Sequence, residues 1–316
     1  MLSPLAFELP AFLLGLLFGS FLNVCISRLP AHQSITKPRS HCPHCHATIR
    51  WYDNIPLLSY LLLRARCRHC HQPVSWRYPA VELTFGIWTS LLTFRLLASL
   101  GLLDSLFGIR RYHSYAAANL WINTVALAIL GFLLLGLLVM DWRTHKLPDA
   151  FTLTGCLLGF ILIFIQSTFL APGQGDIHFD PQHNLRLSSP GSFVAKGDVF
   201  MTGPEHLVLG RLLAMVAAAS LILLIRWLYK LVRHREGLGL GDAKLLAMIA
   251  AFLGFAPAML AFFVGVVLCG AYAAVLIVRG RATATTRLPL GTFLCVGGLL
   301  AALVGTPLIA WYSSLL

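Results

Sequence analysis

The sequence predicts an all-α polytopic membrane protein, with about eight transmembrane helices and a small zinc-binding cytoplasmic loop domain. Three observations carry this. The 316 residues are 58% hydrophobic and only 11% charged, against about 25% charged in ordinary soluble domains. Mean hydropathy is +0.77, and the apolar residues fall in long runs near the ~20 residues that cross a bilayer as a helix. Four cysteines sit in one polar stretch as two C-x-x-C pairs. This composition excludes a soluble globular protein, because too little charged surface exists to cover one.

The first apolar run covers 11–27 and ends at Arg28. No cleavable signal peptide is expected: the first ten residues hold Glu8 but no Lys or Arg, and no small-residue cleavage site follows the run. A polar stretch spans 28–79. Further apolar runs lie near 81–103, 119–140, 151–171, 207–229, 243–256, 258–278 and 288–312. The chain therefore divides into a first transmembrane helix (1–28), a cytoplasmic zinc-binding loop domain (29–80) and a transmembrane core (81–316). Within the core, 172–206 is rich in Pro, Gly and Asp and reads as an insertion on the outer side.

Charge sets the orientation. Segments 28–79, 142–148, 230–244 and 279–287 hold 17 of the 24 Lys and Arg residues. Basic loops stay in the cytoplasm, so both termini face the outer, periplasmic side of an inner membrane. The formal net charge of +12 thus points to anionic lipid. A nucleic-acid surface would not alternate loop by loop, and no nucleic-acid partner is expected.

Cys42-Pro43-His44-Cys45 and Cys67-Arg68-His69-Cys70 are separated by 21 residues. Each pair offers two thiolates from a tight turn, and four thiolates close a tetrahedral zinc shell with no open position for water. The expected role is a structural Zn2+ clip on a loop too small to bury a core. Disulfides are disfavoured in the cytoplasm. His44, His46, His69 and His71 are alternative ligands, with polar loop positions as their simpler role.

Acids at membrane level are costly and need a reason. Asp141 directly follows the run 119–140. Asp242 ends Gly237-Leu238-Gly239-Leu240-Gly241-Asp242, just before the short run 243–256. Topology puts both on one membrane face. Two adjacent carboxylates share a proton; one activates water and the other polarises a carbonyl, which is aspartic-protease chemistry. Gly239 and Gly241 let the backbone approach another chain closely, as a substrate strand would require. Simpler roles compete: Asp141 could pair with Arg143, Asp149 could cap the helix starting near 150, and Glu82 could be an ordinary interface acid.

These segments resemble the type IV prepilin peptidase family. The resemblance rests on Gly19-Ser20-Phe21-Leu22-Asn23-Val24 with Arg28-Leu29-Pro30, and on the two cysteine pairs framing Trp51-Tyr52-Asp53-Asn54-Ile55-Pro56. It continues through Arg77-Tyr78-Pro79 with Val81-Glu82, Asp141 through Leu147-Pro148-Asp149, and Gly239-Leu240-Gly241-Asp242 with Lys244-Leu245. It implies a G-x-G-D membrane aspartic protease with Asp141 and Asp242 catalytic. Substrates would be prepilins and pseudopilins, cut after a Gly at the cytoplasmic face. It further implies N-methylation of the new N-terminus from S-adenosyl-L-methionine. Lys244, Asp149 and Glu82 stand as supporting residues. Where many relatives have a Pro-Phe-Gly-Pro core, Thr285–Thr292 keeps only Pro289 and Gly291. Two rival functions remain on the residues alone. An ion-coupled transporter explains the acids but not the cysteine pairs, and a non-catalytic secretion scaffold explains the pairs but not the acids.

Overall fold

The computed structural model of the chain describes residues 5–100, 114–169, 178–179, 185–186, 205–233, 239–281 and 288–315. Among these the helices are α1 (Leu5–Arg28), α2 (Leu58–Leu62), α3 (Arg77–Ser99), α4 (Ser114–Thr144), α5 (Asp149–Phe169), α6 (Glu205–Arg233), α7 (Leu240–Leu253), α8 (Phe255–Val278) and α9 (Leu290–Ser313). Two-residue antiparallel strands, β1 (His178–Phe179) and β2 (Leu185–Arg186), pair His178 with Arg186. They fall in the expected insertion 172–206, most of which lies outside the described residues.

Six helices, α1, α3, α4, α5, α6 and α8, are long and apolar enough to cross a membrane. The other two expected crossings fall on α7 and α9. The described apolar part of α9 is Leu290–Gly305. With 14 residues, α7 rises only ~21 Å, short of the ~30 Å hydrocarbon core. From Leu245 onward it is also apolar on every side, and Leu245, Leu246, Met248 and Ile249 have no exposure at all. Such a helix belongs inside a bundle. It packs among α5, α6, α8 and α9 and ends at Gly254, whose φ of 90° turns the chain into α8.

Lipid supplies no hydrophobic drive between helices, so close packing of small residues has to hold them. Gly15 and Gly19, one turn apart on α1, show this. A Cβ on Gly15 would sit 2.8 Å from Gly86 Cα, and one on Gly19 would sit 2.7 Å from Glu82 Cα. The α1 and α3 backbones therefore touch. From α3, Trp88 reaches α4 and donates its indole N–H to Leu127 O at 3.1 Å. Leu130, Leu134, Leu137 and Met140 of α4 are fully buried, and that buried stripe leads straight to Asp141.

Candidate active site and metal centre

The last turn of α4 carries Asp141, which is 5% exposed. Its Oδ2 accepts the backbone N–H of Thr292 at 2.7 Å and the Thr292 hydroxyl at 3.0 Å. Thr292 lies in the first turn of α9, where backbone N–H groups have no partner within the helix. Asp141 satisfies one of them from a different helix and places its carboxylate on the positive end of α9. The expected competitor, an ion pair with Arg143, is not what holds this side chain.

Asp242 stands in the first turn of α7 and is 9% exposed. Its Oδ2 accepts the N–H of Gly239 at 3.3 Å, the reach-back half of a capping box. Cap formation alone does not require a buried acid. Asp141 and the first turn of α7, which carries Asp242, meet around the same residue, Leu147.

One side chain brings these helix ends together. A Cβ on Gly241 would lie 3.1 Å from Leu147 Cβ, and a Cβ on Gly291 would lie 3.0 Å from both Leu147 Cδ1 and Asp141 Oδ2. Leu147, in the turn between α4 and α5, is thus clasped by two glycines that open α7 and α9. Gly241 lacks a side chain because Leu147 occupies that space; Gly239 has ordinary extended angles as the N-cap of α7. Asp149, at the start of α5, is exposed and pairs with Lys244 at 2.6 Å. That bond ties α5 to α7 beside the site and leaves Asp149 outside the acid pair.

Sequence reasoning did not single out Thr292, Leu147 or the contact of Gly291. The available signal was Pro289 followed by Gly291-Thr292 ahead of an apolar run, a helix-start pattern. What such a start would cap was not visible along the chain.

The four cysteines of the loop converge. The sulfurs of Cys42, Cys45, Cys67 and Cys70 all lie within 4.8 Å of one another, with Cys42–Cys70 at 3.7 Å and Cys45–Cys67 at 4.0 Å. Zinc at 2.3 Å from each sulfur needs tetrahedral edges of ~3.8 Å, so the set fits the ion. Both knuckles have the same fold. Cys42 N–H donates to Ala47 O and Cys67 N–H to Gln72 O, while His46 and His71 take left-handed angles, with φ of 56° and 57°. Backbone N–H groups of Cys70 and His69 pull the Cys67 thiol down, while burial and the neighbouring thiols push Cys70 up, so the two share one proton as a close pair does. Asp53 is bound by Arg68 Nε at 2.9 Å, which holds its carboxyl below the ordinary value and pins the intervening turn to the second knuckle.

Glu82 faces the loop from α3. It is 8% exposed, and its Oε2 accepts the N–H of Leu57 at 3.0 Å. It lines a cavity of about 530 Å³ between the loop and the ends of α1 and α3. Neither Asp141 nor Asp242 lines it.

The chain is similar to known proteins over nearly its whole length. A family described as Bacterial Peptidase A24 N-terminal domain matches residues 13–96, and one described as Type IV leader peptidase family matches 194–274. A curated relative from Stutzerimonas stutzeri, named prepilin leader peptidase/N-methyltransferase, is 30% identical over 98% of this chain and 95% of its own. Relatives of the same name from Pseudomonas aeruginosa and Burkholderia pseudomallei are each 31% identical, over 98% and 94% of this chain and 94% and 85% of their own. The chain belongs to the type IV leader peptidase family. No solved structure matches. Of the leader peptidase features described above, the first matched segment holds the whole cysteine loop and Glu82. The second holds Asp242, and Asp141 lies between the two.

Proposed function

We propose that this chain is an aspartic endopeptidase embedded in the bacterial inner membrane. It removes the leader from type IV prepilins and pseudopilins at the cytoplasmic face and then N-methylates the new N-terminus. The carrying observation is the pair of buried carboxylates, Asp141 and Asp242. They come from opposite ends of two helices and sit at one end of the bundle. One ionised carboxylate takes a proton from water as its oxygen attacks the scissile carbonyl. The protonated partner donates to the carbonyl oxygen, and the leaving amine then collects a proton from the acid pair. Family membership supports prepilin-type substrates, and the shared name of the relatives supports the second activity. S-adenosyl-L-methionine supplies the methyl group when bound. Residues 1–28, 29–80 and 81–316 act as first helix, zinc-clipped loop domain and peptidase core.

The test is cleavage of a prepilin carrying a basic leader ending in Gly, read by mass spectrometry in membranes. Asp141→Asn and Asp242→Asn each lower cleavage by at least about a hundredfold while the protein still inserts. Full cleavage by either variant removes that residue from the mechanism. No cleavage of several prepilins by wild type, with coupled ion flux in liposomes, would favour a transporter instead.

A further inference from the structure

We propose that α2 lies in the headgroup–acyl boundary of the bilayer at the cysteine-loop end of the bundle. Leu58, Leu61 and Leu62 enter the acyl layer, and the basic residues beside them hold anionic lipid headgroups. The cysteine loop is then fixed to the membrane by lipid as well as by the two helices that flank it.

The flanking helices give the depth. The 23 residues of α3 begin at Arg77 and rise ~34 Å, little more than the ~30 Å hydrocarbon core, so Arg77 stands near the boundary. Glu82 is more than a turn further in, ~7 Å along the helix. On α1 the matching position is Gly19, whose Cβ would sit 2.7 Å from Glu82 Cα, more than two turns short of the helix end at Arg28. Glu82 leans back towards the start of α3 and accepts the Leu57 N–H at 3.0 Å. The chain entering α2 is therefore held at the level of the first turns of α3. Irregular backbone at that level must find its hydrogen bonds in protein. Glu82 serves Leu57, while Ser59 N–H and Leu61 N–H donate to Ile55 O and Leu57 O. A buried acid here is costly by itself; its use is to accept the backbone of a segment that dips towards lipid.

The face that α2 turns outward is apolar. Leu58, Leu61 and Leu62 fall at i, i+3 and i+4, on one side of a helix, and the last two are 72% and 73% exposed. The other side is used internally: the Ser59 hydroxyl donates to Ile55 O, and the Tyr60 hydroxyl to Val74 O. Trp76, exposed at the entry to α3, stands where aromatic side chains mark a membrane interface. Charge then identifies the lipid. Residues 28–79 hold eight Lys and Arg against the single acid Asp53, which is itself taken by Arg68. Arg64 and Arg66 follow α2 directly and are exposed. Leucines edged by arginines match an acyl layer beneath an anionic surface. A basic leader peptide would be repelled by the same arginines, and an apolar helix of another protein would leave them without partners.

The experiment puts an environment-sensitive fluorescent amino acid in place of Leu61 in the full-length protein, held in nanodiscs of phosphatidylcholine and phosphatidylglycerol. A nitroxide high on the lipid acyl chain quenches it at least about threefold more than aqueous iodide. The same nitroxide on phosphatidylglycerol quenches at least about twofold more than on phosphatidylcholine at equal mole fraction. Arg64→Gln with Arg66→Gln removes that lipid preference and leaves the depth unchanged; circular dichroism checks that the helices are intact. A photoreactive phosphatidylglycerol, with its diazirine near the top of the acyl chain, gives a reading on wild type that needs no variant, and crosslinks are expected within 57–63. Stronger quenching by iodide than by lipid, equal quenching by the two lipids, or crosslinks only outside 57–63 would each overturn the docking. Protection of position 61 from both quenchers would overturn it as well, and would put a protein partner or a second copy of the chain on this face.

Discussion

Thr292 shows how much a single side chain can matter at this site. It gives two hydrogen bonds to one oxygen of Asp141, one from the backbone and one from the hydroxyl. A hydrogen bond to a charged group contributes about 1.5–3 kcal/mol. Thr292→Val keeps the shape and the N–H but loses the hydroxyl, so kcat on a prepilin falls about tenfold or more. Because Thr292 acts through Asp141 and not on substrate, KM stays within about twofold. Thr292→Ser restores the rate. An unchanged kcat in Thr292→Val would mean that the backbone N–H alone sets the carboxylate. The acids themselves could be read along the chain because charge at membrane depth is rare and costly. Thr292 could not, since its partner lies 151 residues away and a threonine before an apolar run is unremarkable by itself.

Among the elements, the cysteine loop was the most readable and α7 the least. Two C-x-x-C pairs specify their own geometry, and the matching turns at His46 and His71 follow from the metal requirement. Apart from α2 and two short 3-10 turns, the loop has little regular structure, and the four converging sulfurs sit at its centre. Metal removal is therefore a local unfolding event. Cys45→Ser, or chelation of wild type, lowers zinc from about one per chain towards none. It also opens the loop to trypsin at Arg39, Arg50, Arg64, Arg66 and Arg68, while the transmembrane helices stay protected. Elemental analysis with limited proteolysis reads both effects, and a metal-free loop as resistant as wild type would show that something else holds it. In α7 the apolar run was visible at 243–256, but the helix begins at Leu240 and ends at Leu253. Its start was hidden by glycines, which ordinarily argue against helix. Here Gly241 is required inside the first turn by the bulk of Leu147.

For the molecule as a whole, the contacts fix the relation among the loops. Leu147 joins the starts of α7 and α9 to the turn after α4, and Lys244 joins α7 to the start of α5. Leu22 near the end of α1 meets Gly136 near the end of α4, and Trp88 at the middle of α3 meets Gly131 in the second half of α4. The cysteine loop, the turn 145–148, and the starts of α7 and α9 therefore share one face of the bundle. In the sequence these elements adjoin the segments that hold most of the basic residues, so a single assignment satisfies the charge rule throughout. Which face is inside is then one binary question, decided by impermeant maleimide labelling of intact spheroplasts. With the basic face cytoplasmic, Ser314→Cys at the C-terminus is labelled from outside, whereas Gly280→Cys in the α8–α9 turn is labelled only after permeabilisation. The native Cys42, Cys45, Cys67 and Cys70 stay silent in intact cells for the same reason as Gly280→Cys. The reverse pattern would place the acid pair outside and remove cytoplasmic prepilin leaders as substrates, however well the pair is built.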